Sequence, residues 1–573
     1  MKKGGPKVSR PARQITELEK WVPGIHAART YERSWLTRDL VAAIVLSALL
    51  VPQGMAYAEL AGLPPITGLY TTVICLLAYA AFGPSPYLVL GPDSSLGPII
   101  AAIILPLALG DEGYAIALAG MLAIIVGLIS FGFGVAKLGF VADLLSKPVR
   151  LGYMAGLAIT IIIDQLPKLF GFSGDGDNVL SQMAAFVRNL DQTHGWALAM
   201  GTLALVIIMV LKRFVPKWPA ILIGVVVPII ITTVLNLAAE GVPVTGMLPQ
   251  GFPKPSFPSI AWGDLPLLFF GAIGITLVAV GDTISVASGF AARRKEDIDS
   301  NQEIIGIGAA NFFSGLFQGF PISTSSSRTA VADQAGAKSQ LTGIAAAALV
   351  LMMIVFTPGL VKNMPSSVLA AVIMVAAAGL LEVKTLRRLY RNRRSEFFIS
   401  MATVLGVALI GVLEGIIIAV ALSIFQIFER EWRPHSAILG KPDDVPGYHD
   451  VTRYPDAETM PGMLLVRWDS SLFFANSNLF RDRIRSLVTH ADPRPEWVII
   501  AAEPITDIDT TAADMLVELD EELNAHDIHL VFAELKHPVR DRVERYGLYD
   551  TIDRHHFYPT IEAAVAAYGQ RDT

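Results

Sequence analysis

The stretch Gly319–Gly336, GFPISTSSSRTAVADQAG, sets six hydroxyl residues and one arginine between two strongly apolar regions. Ser325, Ser326 and Ser327 offer hydroxyl donors in succession, and Arg328 adds a permanent charge with a rigid fork of N–H groups. That is the chemistry of holding an anion. A second polar interruption, LVLGPDSSLGPII (88–100), brings Asp93, Ser94 and Ser95 just after Gly91 and Pro92. A third, LVAVGDTISVASGFA (277–291), places Asp282 and Thr283 inside an apolar run. A carboxylate in such a run is suited to taking up a proton together with an anion. Asp282 followed by Thr283 would instead suit a sodium ion, since hard cations prefer carboxylate and hydroxyl oxygens.

The elements that must position these groups belong to a membrane. The 573 residues are 53% hydrophobic and 17% charged, with a mean hydropathy of +0.51, too apolar for a water-facing surface. Runs such as LAGMLAIIVGLISFGFGVA (118–136) and AILIGVVVPIIITTVLNLA (220–238) match spanning helices in length and purity. The first apolar run starts near Leu40 after a polar lead, so no cleavable signal is expected. Residues 88–100 and 319–336 each read as an extended approach followed by a short helix, with the two helix N-termini facing each other near the midplane. Half-helices in corresponding positions of two halves mark an inverted-repeat secondary transporter. Their unpaired N–H groups and dipoles would favour an anion. The plainer reading is that the serines only cap the helix and a nearby carboxylate neutralises Arg328. At a depth where an unpaired cation is costly, arginine favours the anion site. For Asp282 the plainer reading is an ion pair with Arg328 that holds two helices together.

Basic residues cluster at Lys2, Lys3, Lys7, Arg10 and Arg13, at Lys137, Lys147 and Arg150, at Lys212, Arg213 and Lys217, at Arg293–Lys295, and from Arg387 to Arg394. With both termini cytoplasmic and about fourteen spans, every cluster falls inside. Residues 441–573 carry 13 Lys and Arg against 25 Asp and Glu, a net of −12 that leaves +6 for the rest of the chain. The expected division is a cytoplasmic lead (1–38), a transmembrane transport domain (39–432) and a cytoplasmic acidic domain with its linker (433–573). Cys75, the sole cysteine, reads as a small packing residue. GYMAG (152–156) and GVLEG (411–415) read as close helix contacts. No P-loop lysine, HExxH pair or CxxC is present, so neither enzyme chemistry nor a metal or cofactor is expected, and no nucleic-acid partner.

PQGMAYAELAGLPPITGLYTT, NQEIIGIGAANFFSGLFQGFPISTSSSRTAVADQAGAKSQLTG and the acidic tail resemble the sulfate permease (SulP) family of anion transporters. The resemblance implies a polytopic α-helical domain of fourteen segments in a seven-plus-seven inverted repeat, with core and gate domains, followed by a small α/β STAS domain. It assigns Gln53 and Tyr57 to the substrate site on the first segment, Asp93, Ser94 and Ser95 on the third, Asp282 on the eighth, and Ser325, Ser326, Ser327 and Arg328 on the tenth. It also implies an elevator-like movement and a homodimer in the inner membrane. Two departures stand out. Asp282 occupies a position where bacterial members often have a glutamate implicated in proton coupling, and Asp93 one where many relatives have an apolar or aromatic residue. The resulting expectation is proton-coupled sulfate symport. Sodium-coupled bicarbonate transport and anion exchange or a channel are the alternatives.

The tail is legible without the resemblance. GMLLVRWD (462–469), EWVIIAAE (496–503) and IHLVFAEL (528–535) read as buried strands. SNLFRDRIRSLVTH (477–490) and TTAADMLVELDEELNAHD (510–527) read as amphipathic helices, together an α/β domain. Thr510 matches a position that is phosphorylatable in anti-sigma-factor antagonists. Asp509 and Thr510 read more simply as a helix start.

Overall fold

The computed structural model describes residues 17–139, 146–174, 179–215 and 218–570. The basic residues of the first sixteen positions and Lys217 lie outside these. The chain separates into two compact units that divide between Ser423 and Ile424.

Two series of seven helices, linked by shorter ones, build the first unit. The first seven are α1 (Leu36–Leu60), α2 (Pro65–Phe82), α3 (Gly97–Ala108), α4 (Glu112–Val135), α5 (Lys147–Phe170), α6 (Gly195–Phe214) and α7 (Ala220–Val234). The second seven are α8 (Leu265–Arg294), α9 (Ser300–Leu316), α10 (Ser326–Gln334), α11 (Leu341–Phe356), α12 (Ser366–Leu380), α13 (Arg394–Leu405) and α14 (Val412–Trp432). The third member of each seven is a short helix preceded by a two-residue strand: β1 (Leu90–Gly91) before α3, and β2 (Ser323–Thr324) before α10. The first half-helix starts at Gly97, not at Asp93. Asp93 instead closes a turn, its carboxylate accepting from the Ser95 N–H at 3.0 Å and the Ser95 hydroxyl at 2.8 Å.

Packing sorts the helices into two groups. α1–α4 pack with α8, α9 and α11, whereas α5 packs with α12 and α13, and α6 with α7 and α12. Glycines permit the tightest of these approaches. A Cβ on Gly315 of α9 would lie 2.3 Å from the Gly120 carbonyl of α4, and one on Gly152 of α5 would lie 2.2 Å from the Ser400 carbonyl of α13. The second case realises the close contact read from GYMAG. Cys75 is fully buried in α2, its thiol directed at the Thr72 carbonyl.

The division between the units falls inside α14. The polar end of that helix belongs with the second unit: the Glu431 carboxylate accepts from the Ser470 hydroxyl at 2.9 Å, and its carbonyl from the Asn476 amide at 3.2 Å. Here β3 (Ser436–Gly440), β4 (His449–Asp450), β5 (Met463–Trp468), β6 (Trp497–Ala501), β7 (His529–Ala533) and β8 (Phe557–Tyr558) form one sheet in the order β4-β3-β5-β6-β7-β8. β5 to β8 are parallel. Continuous apolar runs fill the parallel strands because both faces are covered. α15 (Ser477–His490) and α16 (Thr510–Asn524) pack on one face, and Ile561–Gly569 covers the other. The three strands and two helices read from the tail are all present.

Candidate anion-binding site

The two polar interruptions meet. β1 and β2 pair antiparallel, Leu90 with Thr324 and Gly91 with Ser323. Two further bonds extend the ribbon: the Ser325 N–H donates to the Val89 carbonyl at 3.3 Å, and the Val89 N–H to the Thr329 hydroxyl at 3.1 Å. Side-chain amides hold both approaches in place. Asn311 accepts from the Ile322 N–H at 2.8 Å and donates to its carbonyl at 3.3 Å, while Gln340 donates to the carbonyls of Ser85 and Leu88 at 2.8 and 2.9 Å. Non-helical backbone inside a membrane needs such partners.

Arg328 is 1% exposed and bridges the halves. Its guanidinium donates to the Pro92 carbonyl and, at 3.3 Å, to the Gly91 carbonyl, and it lies 3.7 Å from the Asp93 carboxylate. Gly91 leaves the room for this, since a Cβ there would stand 3.1 Å from Nη1. Ser325 caps α10 through the Arg328 N–H, and its hydroxyl lies 3.0 Å from that of Ser327.

The turn before α3 and the start of α10 border one cavity of about 1080 Å³. Gln53 and Tyr57 of α1, Asp93, Ser94 and Ser95 before α3, and Ser325, Ser326 and Ser327 at α10 all line it. So does Asp282 of α8, whose carboxylate lies 3.5 Å from the Ser95 hydroxyl. The buried Gln53 side-chain oxygen has no hydrogen-bond donor among the described residues. Two of the residues read from the sequence stand behind the wall. Arg328 faces the carbonyls just described, and the Thr283 hydroxyl donates to the Ala279 carbonyl at 2.7 Å and lies 2.9 Å from that of Thr324. Asp282 forms no ion pair with Arg328 among the described residues; the carboxylate beside Arg328 is that of Asp93. In the second unit, Thr510 is exposed at the first position of α16. Asp509 caps that helix, accepting from the Ala512 N–H at 2.8 Å.

Sequence reasoning missed the opposite wall. Arg150 and Met154 of α5, Val375 and Gly379 of α12, and Lys212 and Glu382 near the basic ends of the helices complete the cavity. Arg150 carried a signal, a cation one turn into the span that Lys147 starts.

A profile of the sulfate permease family matches residues 36–403, and one of the STAS domain residues 454–564. The chain is 38% identical over 553 residues to a probable sulfate transporter of Mycobacterium tuberculosis, covering 96% of this chain and 98% of that one. It is 30% identical to the chloroplastic sulfate transporter 4.1 of Arabidopsis thaliana, covering 96% and 83%. Among solved structures, murine Slc26a9, an anion transporter in the inward-facing state, aligns with a TM-score of 0.89 at 22% identity over 99% of this chain and 96% of that one. The transmembrane domain of the cyanobacterium bicarbonate transporter BicA aligns at 0.61 and 21% identity over 69% of this chain and 98% of that one. These two share the fold. The matched profile covers most of the spanning helices, and the chain therefore belongs to the sulfate permease family, as a multi-pass membrane anion transporter with a C-terminal STAS domain.

Proposed function

We propose that this protein carries sulfate into the cell together with protons, by an elevator-like movement of α1–α4 and α8–α11 against α5–α7 and α12–α14. One observation carries the reading: the Asp93–Ser95 turn before α3, the start of α10 and the Asp282 carboxylate border a single cavity between the two groups of helices. Sulfate would be held by backbone N–H groups and the hydroxyls of Ser94, Ser95 and Ser325–Ser327, with the Arg328 charge acting from behind. An anion beside the carboxylates of Asp93 and Asp282 is repelled until one of them is neutralised. Asp93 lies near Arg328 and accepts from Ser95, whereas the only hydrogen bond to the Asp282 carboxylate among the described residues is the long one from Ser95, with the Arg150 charge within electrostatic reach. Protonation of Asp282 would thus be tied to anion binding, which is the requirement for symport. Relatives named as sulfate transporters support the substrate. On this reading the cavity mouth near Lys212 and Glu382, the N-terminus and the soluble domain are cytoplasmic.

The sodium alternative loses part of its support from the Thr283 hydroxyl, which bonds away from Asp282. The test is uptake of labelled sulfate into proteoliposomes with and without an inward proton gradient, for wild type and Asp282→Asn. Gradient-stimulated uptake that Asp282→Asn abolishes is expected. Bicarbonate uptake that requires sodium, without sulfate uptake, would replace both the substrate and the coupling ion.

A further inference from the structure

The link between α12 and α13 contains a ten-residue helix, Val383–Asn392, with the sequence VKTLRRLYRN. Lys384, Arg387, Arg388 and Arg391 recur at i, i+3, i+4 and i+7, one stripe along the helix, and all four are exposed. None of the four meets a carboxylate among the described residues. The nearby acids are engaged elsewhere: Glu382 accepts from the Thr385 hydroxyl at 2.8 Å, and Glu396 pairs with Arg393 at 3.0 Å. Beside the stripe runs an apolar flank at the same periodicity. Leu389 is 9% exposed and seats the helix, but Val383 remains 64% exposed and Tyr390 49%. Phe398, at the start of α13, is 63% exposed.

Four like charges one turn apart repel each other and weaken the helix that carries them. A polyanionic surface alongside reverses that penalty. The helix is tethered at both ends to spanning segments, α12 ending at Leu380 and α13 starting at Arg394, so the bilayer surface is adjacent to it. The apolar flank has no use against a soluble polyanion, but fits the boundary between headgroups and acyl chains.

We propose that Val383–Asn392 is a binding site for acidic phospholipid headgroups. Lys384, Arg387, Arg388 and Arg391 hold the headgroup phosphates, while Val383 and Tyr390 lie among the upper acyl carbons. The helix follows directly on Gly379 and Glu382, which line the transport cavity, so the site anchors that wall to the membrane surface. The competing occupant is the acidic soluble domain, whose region 441–573 carries a net charge of −12.

The experiment uses the full-length protein in bilayer discs of phosphatidylcholine containing about one quarter phosphatidylglycerol. Lipids retained on the protein are counted by native mass spectrometry for wild type, the triple variant R387Q/R388Q/R391Q and the charge-preserving triple variant R387K/R388K/R391K. Wild type is expected to retain phosphatidylglycerol over phosphatidylcholine. The glutamine variant should lose that preference, by about fivefold for each charge removed, and the lysine variant should keep it. Equal retention by wild type and the glutamine variant would overturn the proposal, as would equal loss in both variants, because charge would then not be the determinant. If retention is unchanged while the glutamine variant exposes the soluble domain to proteolysis, the stripe holds that domain and the lipid site is wrong.

Discussion

Arg328 was legible as a residue that matters, but not as one that faces inward to the protein. Arginine in an apolar setting demands partners, and a sequence does not say whether those are an anion or two carbonyls more than 200 residues away. The guanidinium fork satisfies the carbonyls of Gly91 and Pro92 together, which an ammonium does less well. Arg328→Lys should therefore reach the membrane at normal levels yet lower initial sulfate uptake by about tenfold or more, since a bond to a charged group in a buried wall is worth about 1.5–3 kcal/mol. Uptake normalised to purified protein tests this; an unchanged rate would mean that the charge alone suffices. Arg150 belongs to the opposite class, a cation on the cavity wall within electrostatic reach of Asp282 that forms no salt bridge among the described residues. Arg150→Gln should raise the KM for sulfate several-fold with a smaller effect on the maximal rate, and should flatten the dependence of uptake on ionic strength.

The half-helices were legible because glycine, proline and serine punctuate otherwise apolar runs, and the local rules for breaking and capping a helix act over a few residues. The amides that hold their approaches were not. Asn311 sits singly within α9 and Gln340 in the turn before α11, and nothing in their spacing links Gln340 to Ser85, 255 positions earlier. Asp39 escaped in the same way. Fully buried at the start of α1, it accepts from the Lys338 N–H at 2.7 Å and from the hydroxyls of Ser339 and Thr342 at 2.8 and 3.1 Å, tying α1 to the start of α11. Asn311→Leu conserves bulk but leaves the Ile322 N–H and carbonyl unpaired in the interior. Destabilisation on the order of 3 kcal/mol is expected, read as a lower midpoint of thermal aggregation in detergent. Gly91→Ala is a gentler probe of the same region. Its Cβ would press on the Arg328 guanidinium, so transport should fall while the thermal midpoint moves little.

For the whole molecule, the division into a spanning and an α/β unit was readable from composition, whereas the attachment of the end of α14 to the second unit rests on hydrogen bonds that Glu431 accepts from Ser470 and Asn476, which composition does not encode. The α/β unit holds a pH response of its own. Asp520 of α16 is 1% exposed, and burial pushes its carboxyl up to about 6, against a bond from Asn524 that favours the charged form. The folded domain thus binds this proton more tightly than the unfolded chain. Its contribution to stability is greatest below the ordinary carboxylate range and is lost as pH rises through about 6. Asp520→Asn should raise the thermal midpoint of this domain at pH 7, by up to about 3 kcal/mol in free energy, and flatten its slope between pH 4 and 6. Scanning fluorimetry across that range decides it; a variant as pH-dependent as wild type would assign the response elsewhere. The β1–β2 ribbon has a consequence for biogenesis. The Val89 N–H waits for Thr329, and the Gly91 and Pro92 carbonyls for Arg328, across about 240 residues of later synthesis. Until the second seven helices emerge from the ribosome, the first seven hold unpaired polar backbone inside the bilayer. Either half expressed alone should be cleared by quality-control proteolysis, and the two halves produced in the same cell should rescue each other.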